Sequence, residues 1–146
     1  MRDKSSSTGN RIALYLHSSL TKANGGKTFL EYQRQVLQGW SRTHNCESPR
    51  RYTDHGHSGY RLSRPGLKRL LNDAELRKFD VVLVQSLHRL SRKYDDALFI
   101  IAKLHSHNIR VKSLDDGFDS TVVDAEARYQ VAVVLGRSPM RQRMST

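Results

Sequence analysis

A single cysteine, Cys46, stands in 146 residues. An internal disulfide is therefore impossible, and a structural zinc site, which needs several thiolates or histidines, is argued against. Such sparing use of cysteine fits a reducing compartment, so a cytoplasmic location is expected. Long apolar runs are missing too. Nothing approaches the roughly 20 apolar residues that span a bilayer, and there is no signal-peptide core, so no membrane partner is expected. Acidic residues are scarce, 14 against 25 lysines and arginines, which leaves a net charge of +11. That surplus favours a polyanionic partner, nucleic acid before an anionic membrane.

What is present is a globular composition, 37% hydrophobic and 27% charged, long enough for one domain with a core. The stretch that organises it is FDVVLVQSLHRLSR, from Phe79 to Arg92. Val81 to Val84 is a β-branched apolar run, the pattern of a strand buried on both faces. Polarity then switches at once through Gln85, Ser86, His88, Arg89, Ser91 and Arg92. In open α/β sheets, ligands bind at the carboxyl ends of strands. Arg89 and Arg92, fixed just past such an end, suit a planar grip on phosphate.

The remaining elements follow in order. Residues 1–10 read as a flexible polar tail. Arg11 to Leu16 reads as the first strand. Gly25-Gly26 falls in a loop, and Thr28-x-x-Glu31 reads as a capping box opening a helix. Phe29, Leu30, Val36, Leu37 and Trp40 form its apolar stripe, with Gln33 polar but in phase. Asn45 to Pro49 breaks that helix, and Arg50 to Asp54 reads as a second strand ending in a glycine-containing loop. Pro65 suits the first turn of the next helix. Leu67, Leu70, Leu71 and Ala74 give its stripe. After the third strand, Ala97, Ile100, Ile101 and Leu104 mark a third helix. Leu98 and Phe99 widen its apolar face toward another subunit. Ile109 to Leu114 is a fourth strand, Asp115-Asp116-Gly117 a turn, and Val122 to Leu135 a last helix stopped by Gly136 and Pro139. Alternation of strand and helix predicts an α/β fold, a mainly parallel four- to five-stranded sheet flanked by helices. A single domain is expected over residues 11–136, with residues 137–146 a short basic tail.

Each candidate chemistry has a plainer competitor. His55-x-His57 and His105-x-His107 have metal-pair spacing, but with no nearby cysteine they read as surface histidines, and no metal is expected. Gly26-Lys27-Thr28 matches the end of a phosphate-binding P-loop. The leading glycine of that motif is replaced by Thr21, and no acidic residue ends the third strand to hold magnesium. Ser18-Ser19 follows the first strand directly. Without a G-x-S-x-G elbow, acyl chemistry of the α/β-hydrolase type is not indicated. A serine converging with Arg64, Arg89 and Arg92 points instead to phosphate.

Several motifs in one order carry more weight than any alone. Tyr15-x-His17-x-Ser19, Gln33, Thr53-Asp54-x-x-x-Ser58-Gly59, Arg64-Pro65-Gly66-Leu67 and His88-Arg89-Leu90-Ser91-Arg92 together resemble the catalytic domain of serine recombinases, the resolvase/invertase superfamily. The middle of the chain looks closest to the large-serine-recombinase branch. The resemblance implies a resolvase-like fold and site-specific DNA recombination. In that family a serine cuts a DNA phosphodiester, makes a 5′-phosphoserine link and reseals it, with no metal or nucleotide cofactor. It implies Ser19 as nucleophile and Arg64, Arg89 and Arg92 as phosphate-gripping arginines. Gln33, Asp54 and Ser58 match supporting positions. Double-stranded DNA is the implied partner, with a homodimer or tetramer assembled on it in the nucleoid.

Two positions depart from the family pattern. His17 stands where the family has arginine, and His88 where it has aspartate. Histidine is mostly neutral at physiological pH, so neither charge is replaced, and impaired cleavage is expected. A second reading follows: a relative that only binds DNA or associates with recombinase subunits. In the family the last helix is long and carries on to a separate DNA-binding region, whereas here Gly136 and Pro139 break it, so residues 137–146 are expected to be a short basic tail without that region.

Overall fold

The computed structural model describes residues 11–19, 23–120 and 123–136. Five strands form one sheet in the order β2-β1-β3-β4-β5. They are β1 (Ile12–Ser18), β2 (Arg50–His55), β3 (Val81–Val84), β4 (Arg110–Ser113) and β5 (Phe118–Ser120). The first four run parallel and β5 is antiparallel to β4. This is the mainly parallel α/β sheet that the alternating pattern predicts.

The helices are α1 (Ala23–Thr43), α2 (Pro65–Glu75), α3 (Leu87–Leu90), α4 (Tyr94–His105) and α5 (Ala125–Val134). The sheet separates two cores. On one face Ile12, Leu14, Leu16, Val81 and Leu83 meet Leu37, with Leu30 and Trp40 partly buried. On the other, Ala13, Tyr15, Val82, Val84 and Val111 meet Leu67, Leu70, Ala74, Ile100, Ile101, Leu104 and Val131. Strand residues alternate between the two faces, so a covered sheet needs apolar residues at every position. That is why β3 reads VVLV, all buried.

Pro65 is the first residue of α2, where its missing N–H costs nothing. The end of α5 is set by Gly136 at φ +74°, a left-handed residue just past the helix. Pro139 lies outside the described residues, as do the two tails. Asp124 caps α5, its carboxylate accepting from Ala127 N at 2.9 Å.

Two expectations need correction, the start of the first helix and the width of the third helix's apolar face. Helix α1 starts at Ala23, so Thr28 lies inside it and no capping box opens it. Glu31 instead pairs with Arg34 on the same helix. Gly25-Gly26, expected in a loop, and Gly26-Lys27-Thr28 lie within the helix, in keeping with the reading against a phosphate loop. The third helical stripe at Ala97 and Ile101 is fully core, at 0% and 2% exposure. Of that widened face only Phe99 stands clear, with Leu98 packed against the core.

Candidate active site

Strand β1 outruns its neighbour β3. Their register ends at Leu14↔Leu83, whereas β1 stays paired with β2 through Ser18↔His55. Beyond Leu14, the β3 side of β1 therefore offers backbone groups with no strand to meet them. Buried backbone polar groups must be satisfied, and side chains do it here. Gln33, in phase on the buried side of α1, accepts from His17 N at 3.1 Å and donates Nε2–H to His17 O at 2.8 Å. Arg89 Nη1 donates to the same carbonyl at 3.0 Å. The gap between β1 and β3 is thus where the loop after β3 reaches the end of β1.

Ser18 and Ser19 separate at this edge. Ser18 is the last strand residue and is fully buried. Its carbonyl accepts from Gly56 N at 2.7 Å, which ties the loop after β2 to β1. Ser19 is exposed. Of the two, only the Ser19 hydroxyl is open to an incoming group.

The arginines sit at three depths. Arg92 is exposed, and its stem lies on Gly59. A Cβ on Gly59 would stand 3.2 Å from Arg92 Cγ and 3.4 Å from His17 Cε1, so this glycine lets loop and strand close up. Arg89 is 8% exposed, stacked over the Phe29 ring at 5.0 Å. Its Nε is buried without a partner. Burial, then the nearby Arg92, lowers its pKa, yet guanidinium stays charged at neutral pH. Arg64 is the surprise. It is 1% exposed and turned inward. Its Nε donates to Arg61 O at 2.8 Å, and Nη1 donates to Tyr15 Oη at 2.9 Å and Arg89 O at 3.0 Å. Nη2 donates to Leu90 O. An open phosphate grip, the reading from sequence, does not describe it. Arg64 is the peg that holds α3, and so Arg89, against β1.

Asp54 is equally committed. Its carboxylate accepts from Tyr15 Oη at 2.6 Å, Gly66 N at 2.7 Å and Leu67 N at 2.8 Å. It satisfies the free N–H groups at the start of α2 from a neighbouring strand, since Arg64 at the N-cap makes no side-chain cap. Gly66 leaves no room for a side chain there, because its Cβ would meet Thr53 O at 2.6 Å. Tyr15 links the two systems, and burial keeps its phenol protonated, far above the usual range.

The two histidines are also placed. His17 is 1% exposed and its Nε2 lies 2.5 Å from His57 O. A carbonyl only accepts, so Nε2 carries the proton. Nδ1 is then a bare acceptor, buried without a partner. Burial is the main force lowering the His17 pKa to about 4, opposed by the His57 bond and aided by Arg64 and Arg89. His88 is half-buried, and burial followed by Arg92 lowers its pKa as well. Ser58 is exposed, its Oγ accepting from Tyr60 N at 3.0 Å.

Two contributors escaped the sequence reading. Asp116 accepts from Leu87 N at 2.7 Å and from Ser113 Oγ at 2.5 Å, and so anchors α3. Phe29 supplies the ring beneath Arg89. The only sequence signals were an acidic turn after a strand and an aromatic in the α1 stripe.

The family model described as Resolvase, N terminal domain, matches residues 12–138. Among solved structures, the chain is similar to the N-terminal catalytic domain of TP901-1 integrase, at 27% identity and TM-score 0.77, covering 93% of this chain and 99% of that one. It shares the fold of a resolvase family site-specific recombinase from Streptococcus pneumoniae, at 23% identity and TM-score 0.71, covering 92% and 90%. The C-terminal catalytic domain of ISC1926 TnpA, an IS607-like serine recombinase, matches at 24% identity and TM-score 0.64, covering 71% and 70%. No curated protein matches.

Proposed function

The chain belongs to the resolvase family of serine recombinases, and from that premise we propose that it cuts and rejoins double-stranded DNA through Ser19. The observation that carries this reading is the exposed Ser19 at the carboxyl end of β1, two residues from a carbonyl held by the Arg89 guanidinium. The exposed serine and the bonded guanidinium both lie at the carboxyl end of that strand, which supports the reading.

In this reading Ser19 Oγ attacks a DNA phosphorus. The bond to the 3′-oxygen breaks, a 5′-phosphoserine forms, and the serine proton ends on the departing 3′-hydroxyl. Rejoining is the reverse attack by a 3′-hydroxyl, so the ester bond is stored rather than hydrolysed. Charge builds on the phosphoryl oxygens, and preorganised donors stabilise it best. Arg92, exposed, and Arg89, pinned on Phe29, fill that role. Arg64, Asp54 and Gln33 are positioning residues that hold the arginine loop and the serine strand in one frame. His17 and His88, both shifted toward the neutral form, add no permanent charge, so cleavage is slow. Subunits pair on DNA, a reading supported by the exposed Phe99, Tyr129 and Val133, at 53%, 56% and 57%.

The test is a nicked duplex that traps the cut strand. The chain should form a covalent protein–DNA adduct, and Arg92→Ala should slow its formation about a hundredfold. Adduct formation at the wild-type rate in Arg92→Ala would remove the assigned cation.

A further inference from the structure

The loop joining β2 to α2 folds around a cavity of about 330 Å³, lined by Gly56, His57, Ser58, Arg61, Ser63 and Arg64. No carboxylate lines it. Its rim begins beside the nucleophile, because Gly56 N is bonded to Ser18 O. Its inner wall is Arg64, whose guanidinium is occupied by the fold. The outer wall is different. Arg61, exposed, has its backbone N–H on Ser58 O at 3.4 Å, while its guanidinium forms no ion pair among the described residues. Ser63 is exposed as well. Ser58 Oγ accepts from Tyr60 N, which leaves its own O–H to donate.

We propose that this cavity seats a second DNA backbone phosphate, flanking the one that Ser19 addresses, with Arg61 as the cation and the Ser58 and Ser63 hydroxyls as neutral donors. One exposed cation and two hydroxyls beside an acid-free wall suit a tetrahedral monoanion such as a phosphodiester. A base edge needs a directional pattern of donors and acceptors, which the cavity does not offer. The site gives register to the strand without reading its sequence. This inference rests on the DNA-cleaving function proposed above and assigns two residues, Arg61 and Ser63, that the serine-recombinase motifs do not include.

The experiment follows duplex binding by the full chain across chloride concentrations. Each phosphate contact neutralised adds about 0.9 to the slope of log affinity against log salt. Arg61→Ala should lower the slope by about 0.9 and Arg61→Lys should keep it. Lys68→Ala, the same charge change on the exposed side of α2, should leave it at the wild-type value. Ser63→Ala should weaken binding with the slope unchanged, since a neutral donor releases no counterion. An unchanged slope in Arg61→Ala, or an equal fall in Lys68→Ala, overturns the proposal. Inorganic phosphate at matched ionic strength should not displace the duplex better than chloride. Displacement from wild type but not from Arg61→Ala would assign the cavity to free phosphate and overturn the backbone assignment. The adduct assay is separate: a slope that falls as predicted in a chain that never forms adduct upholds this seat and removes the catalytic reading alone.

Discussion

Gln33 holds His17 by the backbone, accepting from its N–H at 3.1 Å and donating to its carbonyl at 2.8 Å. A helix side chain thus completes a strand whose neighbour has ended. Gln33→Leu keeps the volume and removes both bonds. It leaves a buried N–H unsatisfied, at a cost of about 1–3 kcal/mol. Urea unfolding should show a lower midpoint with an unchanged slope. An unshifted midpoint would mean that the amide is replaceable there.

Arg64 spreads its guanidinium over Arg61 O, Tyr15 Oη, Arg89 O and Leu90 O. Lysine offers a point charge and no planar fork. Arg64→Lys should therefore lose about 2–3 kcal/mol of stability, with buried carbonyls left unpaired. The adduct rate should fall with it, as Arg89 loses its anchor. A variant of wild-type stability and slow adduct formation would instead place Arg64 on the DNA.

His17 predicts an acid-sensitive fold. Its folded pKa, about 4, lies below the ordinary 6.5. The unfolded chain therefore takes up a proton first as pH falls. Stability due to this group is intact above the ordinary value and is lost between it and the folded pKa. The loss is about 3 kcal/mol over that window, at 1.36 kcal/mol for each pH unit. His17→Gln removes the titration, so the stability difference between wild type and variant should change by that amount across the window. A constant difference would show that the imidazole titrates normally.

Charge and shape predict how DNA is bound. With a net charge of +11 and the proposed contacts to backbone phosphates, two unrelated duplexes should bind alike at low salt. Affinity should fall steeply between about 50 and 200 mM salt. Strong preference for one duplex would reveal base readout within this chain.

Much of this was legible, for identifiable reasons. Val81 to Val84 reads as a strand buried on both faces, and Leu67, Leu70 and Ala74 as one helix face, and both are observed. Those are local patterns. The start of α1 was not legible, because Gly25-Gly26 reads as a loop by propensity whereas the helix runs through it. The depth of the arginines was hidden for another reason. Arg64 meets Tyr15 across 49 positions, and Arg89 meets His17 across 72. No spacing rule reports whether a guanidinium that far away will turn inward. Asp54 is the same case. The resemblance gave it a supporting position, and its three acceptor bonds, two of them from the start of α2, show a cap supplied from another element.

The central claim is that Ser19, and not its buried neighbour Ser18, forms the bond to DNA. The direct measurement is peptide mass spectrometry of the covalent adduct trapped on a nicked duplex, after nuclease digestion to a phosphonucleotide remnant. The remnant should map to Ser19, and Ser19→Ala should yield no adduct while remaining folded. A remnant on Ser18 or on any other residue, or adduct that persists in Ser19→Ala, would contradict the account.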